Sequence, residues 1–188
     1  MSNFKNELNE HRNVLMKLES LENQMLVSID LILSSIKNGK KLILIGNGGS
    51  AADAQHIAAE FVGRFVEERR ALPAIALTVD TSALTCIAND YGYDYVFQRQ
   101  IEALGHKGDT LLAISTSGNS LSIINALKTA KKLGLNTISF LGRNGGKAKG
   151  LADCEVIVES FTTARIQEMH IFLGHHICAE VEKCLIGD

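Results

Sequence analysis

Lys41-Leu42-Ile43-Leu44-Ile45-Gly46-Asn47-Gly48-Gly49-Ser50 is the stretch that decides the fold. Its apolar run is too short for a helix and lacks polar alternation, so it reads as a strand at 41–45 buried on both faces. Glycines follow at once, and from Ser50 to about Glu68 the apolar spacing becomes helical. Strand, tight turn and helix make the first half of a βαβ unit, and the pattern recurs downstream. Strands are expected at 74–78, 110–114, 137–141 and 155–158, and helices at 82–88, 93–104, 119–133 and 163–185. Five strands alternating with helices imply a parallel sheet covered on both faces, and right-handed crossovers make it a doubly wound, three-layer α/β sandwich. Ligands of such folds sit at the carboxyl ends of the strands.

Upstream, Leu8, Val14, Leu15, Leu18, Leu21, Met25, Leu26, Ile29 and Leu33 recur at helical spacing, so residues 1–40 read as helix packed on the core or on another subunit. No linker, repeat or low-complexity tract interrupts the chain. The expectation is one domain over 1–188, with a helical segment at 1–40 and an α/β core at 41–188. The single proline, Pro73, directly precedes the second strand.

Composition narrows the function classes. Of 188 residues 46% are hydrophobic and 21% charged, which is ordinary for a globular chain. A net charge of -2 without any basic stripe argues against nucleic acid as the main ligand. There is no apolar run of membrane-spanning length, and the opening MSNFKNELNEHRN is polar and charged. A soluble cytoplasmic protein is therefore expected, with no membrane partner. Cys86, Cys154, Cys178 and Cys184 form no C-x-x-C pair and read as free thiols.

Three strand ends carry polar residues. At the first, the glycines of 46–50 let the backbone approach a ligand, and the following helix start favours an anion. A Walker loop requires G-K-[ST], but Ala51 and Ala52 follow Ser50. Gly46-x-Gly48-x-x-Ala51 meets the loose dinucleotide pattern, yet no acidic residue closes the second strand, since Asp80 comes too late. A tight turn without a ligand is the plain alternative. At the second, Ser115-Thr116-Ser117-Gly118-Asn119-Ser120 places four hydroxyls and a glycine at a helix start, which suits phosphate oxygens. Ordinary capping accounts for one hydroxyl but not for four. The third, Asn89-Asp90 before Tyr91-Gly92, reads alone as a turn.

His56 and Glu60 share a helical face with Arg64, a spacing that serves metal chelation, proton transfer or a solvated ridge. The last helix carries Gln167, Glu168, His170, His175 and His176 among apolar residues. Gln167 and His175 lie about 12 Å apart along a straight helix and are rotated by about 80°. Reaching one metal from both requires a bend or a second subunit. That geometry suggests a site built across an oligomer interface.

Taken together, GNGGSAADAQHIAAEFVGR, CIANDYGYDYVF, ISTSGNS and ARIQEMHIFLGHHI resemble the sugar isomerase (SIS) family, and within it the phosphoheptose isomerases, over nearly the whole chain. The resemblance implies conversion of sedoheptulose 7-phosphate to D-glycero-D-manno-heptose 7-phosphate through an enediol, opening the route to the heptose of lipopolysaccharide. It implies a homotetramer with shared sites and one zinc per site, held by His56, Glu60, Gln167 and His175. It also implies substrate contacts from Asn47, Gly48, Gly49, Glu60, Asn89, Asp90, Ser115, Thr116, Ser117, Ser120 and Gln167, with Glu60 and His175 as the proton-transfer pair. His175 rather than His176 keeps the family spacing, His170 lies outside the ligand set, and Arg64 is a further candidate for positioning substrate. Other chains of this fold bind a phosphosugar or a replication initiator without catalysis, or isomerise another phosphosugar. The complete set His56, Glu60, Gln167 and His175 favours catalysis.

Overall fold

The computed structural model describes residues 3–186, so the two residues at either end of the expected domain lie outside the described residues. Strand β1, Leu42–Gly46, is buried along its whole length. Its side chains alternate between two cores: Leu42 and Leu44 enter one, Ile43 and Ile45 the other. β2 (Ala74–Ala76), β3 (Thr110–Ser115), β4 (Asn136–Gly142) and β5 (Cys154–Val158) complete the sheet. Every pairing is parallel, and the order is β2-β1-β3-β4-β5.

The first core is covered by α1 (Phe4–Lys17), α2 (Glu22–Lys37), α3 (Gly49–Val62) and α7 (Thr163–Leu185). A single 3-10 turn at Leu18–Leu21 separates α1 from α2. The second core lies under α5 (Val96–Leu104) and α6 (Leu121–Lys132), with α4 (Thr81–Tyr91) contributing only partly buried Leu84, Ile87 and Ala88. The doubly wound sandwich and the N-terminal packing helices are thus as expected. Among the described residues, no helix is long and apolar enough to cross a membrane.

Three local expectations are corrected. Helix α3 stops at Val62 rather than near Glu68. Arg64 therefore leaves the His56–Glu60 face, and its Nη1 donates to the Val66 carbonyl. Asp80, set aside above as too late in the chain for a ribose-binding acid, caps α4: its carboxylate accepts from the Ala83 amide. Asn89 and Asp90 belong to the last turn of α4 rather than to a free turn.

Candidate active site

The chain moves from β1 outward to β2 and then returns to the other side of β1 as β3. Helix α3, which follows β1, lies on one face, and α6, which follows β3, on the other. Neighbouring strands whose helices part in this way leave a crevice at their carboxyl ends. Both polar loops stand there. At the β1 end, a Cβ on Gly46 would lie 2.5 Å from the Ser50 carbonyl carbon, and Gly48 has φ +57, which favours glycine. Asn47 spans the crevice: its Nδ2 donates to Ser122 Oγ at 3.0 Å, and its Oδ1 accepts from the Tyr93 hydroxyl at 2.8 Å.

The β3 loop is built differently. Ser115 Oγ accepts from the Gly118 amide and Ser117 Oγ from the Asn119 amide, both at 3.1 Å, so these two hydroxyls shape the loop. Ser120 sits at the N-cap of α6, but its side chain caps no amide. Ordinary capping therefore does not explain Ser120, and Thr116 and Ser120 stand half-buried at the mouth of the helix. Gly118, at φ +62, packs on the 145–146 backbone, and its carbonyl accepts from the Ala148 amide at 2.8 Å.

Helices α3 and α7 run side by side in the same direction. Gln167 lies against Gly49, and Gly174 faces Ile57, where a Cβ would meet Ile57 Cδ1 at 2.5 Å. That register brings His175 abreast of His56 and Glu60. His56 Nε2 is 2.9 Å from His175 Nε2 and 3.3 Å from Glu60 Oε1. One ligand atom from each of the three residues falls within 4.8 Å of the others. Two imidazole nitrogens so close must share a proton or turn their lone pairs to one cation. Two imidazoles and a carboxylate are also the donor set of an open zinc site, so these residues fit that metal. Phe65 closes one side, its ring centroid 5.6 Å from that of His175.

Gln167 is brought to the glycine loop, at the start of α3, and the other three candidate ligands stand about two turns farther along. Helix α7 is continuous from Thr163 to Leu185, and within one chain it leaves Gln167 at Gly49 and His175 at His56. Asn89 bonds Asp90, and Cys86 donates to Asp90; among the described residues no hydrogen bond links Asn89 or Asp90 to either loop. His170 is fully buried, its Nε2 in a hydrogen bond with the Leu141 carbonyl. Burial holds it down at about 4, so the ring is neutral and Nε2–H donates. His176 is exposed and lines a groove on the opposite side of α7.

Helical spacing alone does not single out several residues around the site. Asp53, one turn before His56, has its carboxyl raised by burial against the opposing pull of His56, and its Oδ2 is buried without a partner. Tyr93 and Ser122 orient Asn47. Behind the His–Glu–His cluster, Glu182 accepts from the amides of Phe65, Val66 and Glu67 and pairs with Arg69. A signal for Glu182 and His170 was present: both fall on the apolar stripe of α7, where a polar residue needs a partner.

Comparison with known proteins identifies the family. The SIS domain family model matches residues 8–142. A phosphoheptose isomerase of Nitratiruptor sp. is 52% identical over 184 residues, covering 97% of this chain and 98% of that one. The phosphoheptose isomerase of Aquifex aeolicus is 58% identical over 153 residues, 81% of this chain and 80% of its own. The solved structure of the phosphoheptose isomerase from Neisseria gonorrhoeae superposes with a TM-score of 0.90 at 42% identity, covering 96% of this chain and 97% of that one. By the family model, the curated relatives and the superposed structure, the chain belongs to the SIS-domain family and, within it, to the phosphoheptose isomerases.

Proposed function

We propose that the chain isomerises sedoheptulose 7-phosphate to D-glycero-D-manno-heptose 7-phosphate in the cytoplasm, the first step toward a lipopolysaccharide heptose. The observation that carries this reading is the convergence of His56, Glu60 and His175 two turns along the helix that leaves the strand-end crevice. A protein that only bound a phosphosugar needs the serine loop but not these three groups.

The reaction moves hydrogen without net oxidation. A base takes a proton from C1 of the ketose while an acid supplies one to the carbonyl oxygen at C2, giving the enediol. A proton is then returned to C2 and another removed from the oxygen at C1, leaving the aldehyde. Glu60 and His175 are the pair for these transfers. The α6 amino terminus and the hydroxyls of Ser115, Thr116, Ser117 and Ser120 hold the phosphate, Ser115 and Ser117 also shaping the loop as acceptors of its amides. Asn47, the Gly48–Gly49 backbone, Asn89, Asp90 and Gln167 meet the sugar hydroxyls. His56, Glu60 and His175 would hold a zinc ion, which would supply Lewis-acid polarisation of the carbonyl and hydroxyl oxygens; a Glu60 or His175 lone pair given to the metal is not free to take a proton in the same step.

Gln167 faces Gly49 in its own chain, so as the fourth ligand it is best supplied across a subunit boundary. A groove of about 940 Å³ between α1, α2 and α7, lined by Leu15, Met16, Leu26, Leu33 and Phe172, supports apolar packing of subunits in a homotetramer. Recovery of activity in mixed oligomers of Glu60→Gln and Gln167→Ala chains tests the shared site; persistent inactivity counts against it.

Proton NMR of the zinc-loaded protein with sedoheptulose 7-phosphate, with and without chelator, tests the activity. Aldose formation that stops on chelation is expected. No conversion, with phosphosugars still raising the melting temperature, would instead support a sensor or an isomerase of another sugar.

A further inference from the structure

Helix α3 ends two residues past Glu60, and its last carbonyls need partners from outside the helix. Arg69 supplies them. Its Nη2 donates to the Glu60 carbonyl at 2.7 Å, and its Nη1 donates to the Phe61 carbonyl at 3.0 Å and the Gly63 carbonyl at 3.2 Å. A guanidinium at a helix carboxyl end also meets the negative end of the helix dipole. On its other edge, Arg69 Nε lies 3.1 Å from Glu182 Oε2, with both side chains 3% exposed. Glu182 sits on α7, about two turns beyond His175. Its carboxylate accepts from three consecutive amides, those of Phe65 at 2.9 Å and of Val66 and Glu67 at 2.8 Å. Burial alone would raise this carboxyl, but the three amides and Arg69 hold it below its ordinary range, so the charge is kept.

We propose that the buried Arg69–Glu182 pair is a positioning device for Glu60 and His175. It joins the ends of the two helices that carry them, sets the register of α3 against α7, and lays Phe65 on the His175 ring. A buried ion pair is weak ground for stability, because desolvation offsets the attraction. Geometry is where this one acts: the 2.9 Å approach of His56 to His175 exists only while the two helices hold their register. Neither residue belongs to the His56–Glu60–His175 cluster, so both work through it. The activity arm of the proposal rests on the isomerase reading; the metal-binding arm does not.

The test uses the full chain and Glu182→Gln, which keeps the size and one acceptor but removes the charge. Cobalt(II) affinity is measured by competition with a chromophoric chelator and by the visible absorption of the bound ion, and kcat and KM by NMR turnover. The expected result is a loss of about 10–100-fold in cobalt affinity with an altered cobalt spectrum. kcat should fall by a comparable factor while KM moves less than about twofold. Arg69→Lys, which keeps the charge but loses the planar fork, should show the same pattern and serves if Glu182→Gln does not fold. Wild-type cobalt affinity, spectrum and kcat in a folded variant that merely melts earlier would overturn the proposal, as would a wild-type chain that binds no cobalt. If the wild type binds cobalt but converts no heptose phosphate, the isomerase reading fails alone and the cobalt arm decides this one.

Discussion

Replacing Gly118 by alanine isolates what holds the serine loop in shape. Gly118 has φ +62, and a Cβ there would overlap the Gly145 carbonyl, 2.5 Å from its carbon and 3.1 Å from the Gly146 nitrogen. The left-handed backbone alone costs an L-residue roughly 1–2 kcal/mol. Moving the 145–146 backbone away also strains the 2.8 Å hydrogen bond from the Ala148 amide to the Gly118 carbonyl. Losing that bond adds roughly 0.5–1.5 kcal/mol. The total of roughly 1.5–3.5 kcal/mol corresponds to a fall in Tm of about 3–14 °C for a chain of this size. Gly150→Ala is the control, since Gly150 has φ +85 but nothing within 4 Å of an added Cβ. Thermal melting and NMR turnover of the two variants separate the terms. Gly118→Ala should melt below Gly150→Ala and raise KM for the phosphosugar at least about tenfold, while Gly150→Ala keeps the wild-type KM. Equal melting temperatures and equal KM values in the two variants would refute the claim that the 118–145 contact shapes the phosphate site.

Glu60→Gln and His175→Gln should each nearly abolish turnover while circular dichroism stays native; near-normal turnover in either removes that residue from the mechanism. Gly49→Ala pushes on the end of a flexible side chain, Gln167, whose Cδ would be 3.0 Å from the new Cβ. It should leave Tm within about 2 °C but lower kcat/KM by at least about tenfold, a barrier increase of about 1.4 kcal/mol. Zinc at about a hundred times its Kd should add about 2.7 kcal/mol, or roughly 5–11 °C in Tm, and His56→Ala should remove that shift. His170 makes stability fall in mild acid: it is neutral when folded, down to about 4, and takes a proton near 6.5 when unfolded. The unfolded state therefore binds more protons between these values, and about 3 kcal/mol is lost as pH falls through that window. Melting curves from pH 7 to 4 check this. Asp109, Asp153 and Glu182, each held below the ordinary carboxylate range, add a further loss only at lower pH.

The sheet was legible because its signal is local. Each strand is a short apolar run beside a glycine or polar turn, and α7 runs from Thr163 to Leu185 as its periodicity indicates. The end of α3 was not legible, because apolar spacing continues past Val62. The helix breaks at its C-cap, Gly63, and the freed backbone groups are taken up by Arg69 and by Glu182, the latter 113 to 117 positions away from the amides and guanidinium it binds. Asn89 and Asp90 were misplaced for a related reason: turn-forming residues also occupy the last turn of a helix that Gly92 terminates.

For the site, the sequence by itself determined which groups are available: a glycine loop and a hydroxyl-rich loop at strand ends, and His56 with Glu60 one helical turn apart. Helical spacing is a property of neighbouring residues, so it could pair those two. It could not show that His175 meets them at 2.9 Å while Gln167 turns to Gly49. That was decided by how α3 and α7 pack, through the close approach at Gly174 and the buried Arg69–Glu182 pair. Register between two helices is set by side chains far apart in the chain, and only the folded structure brings them together.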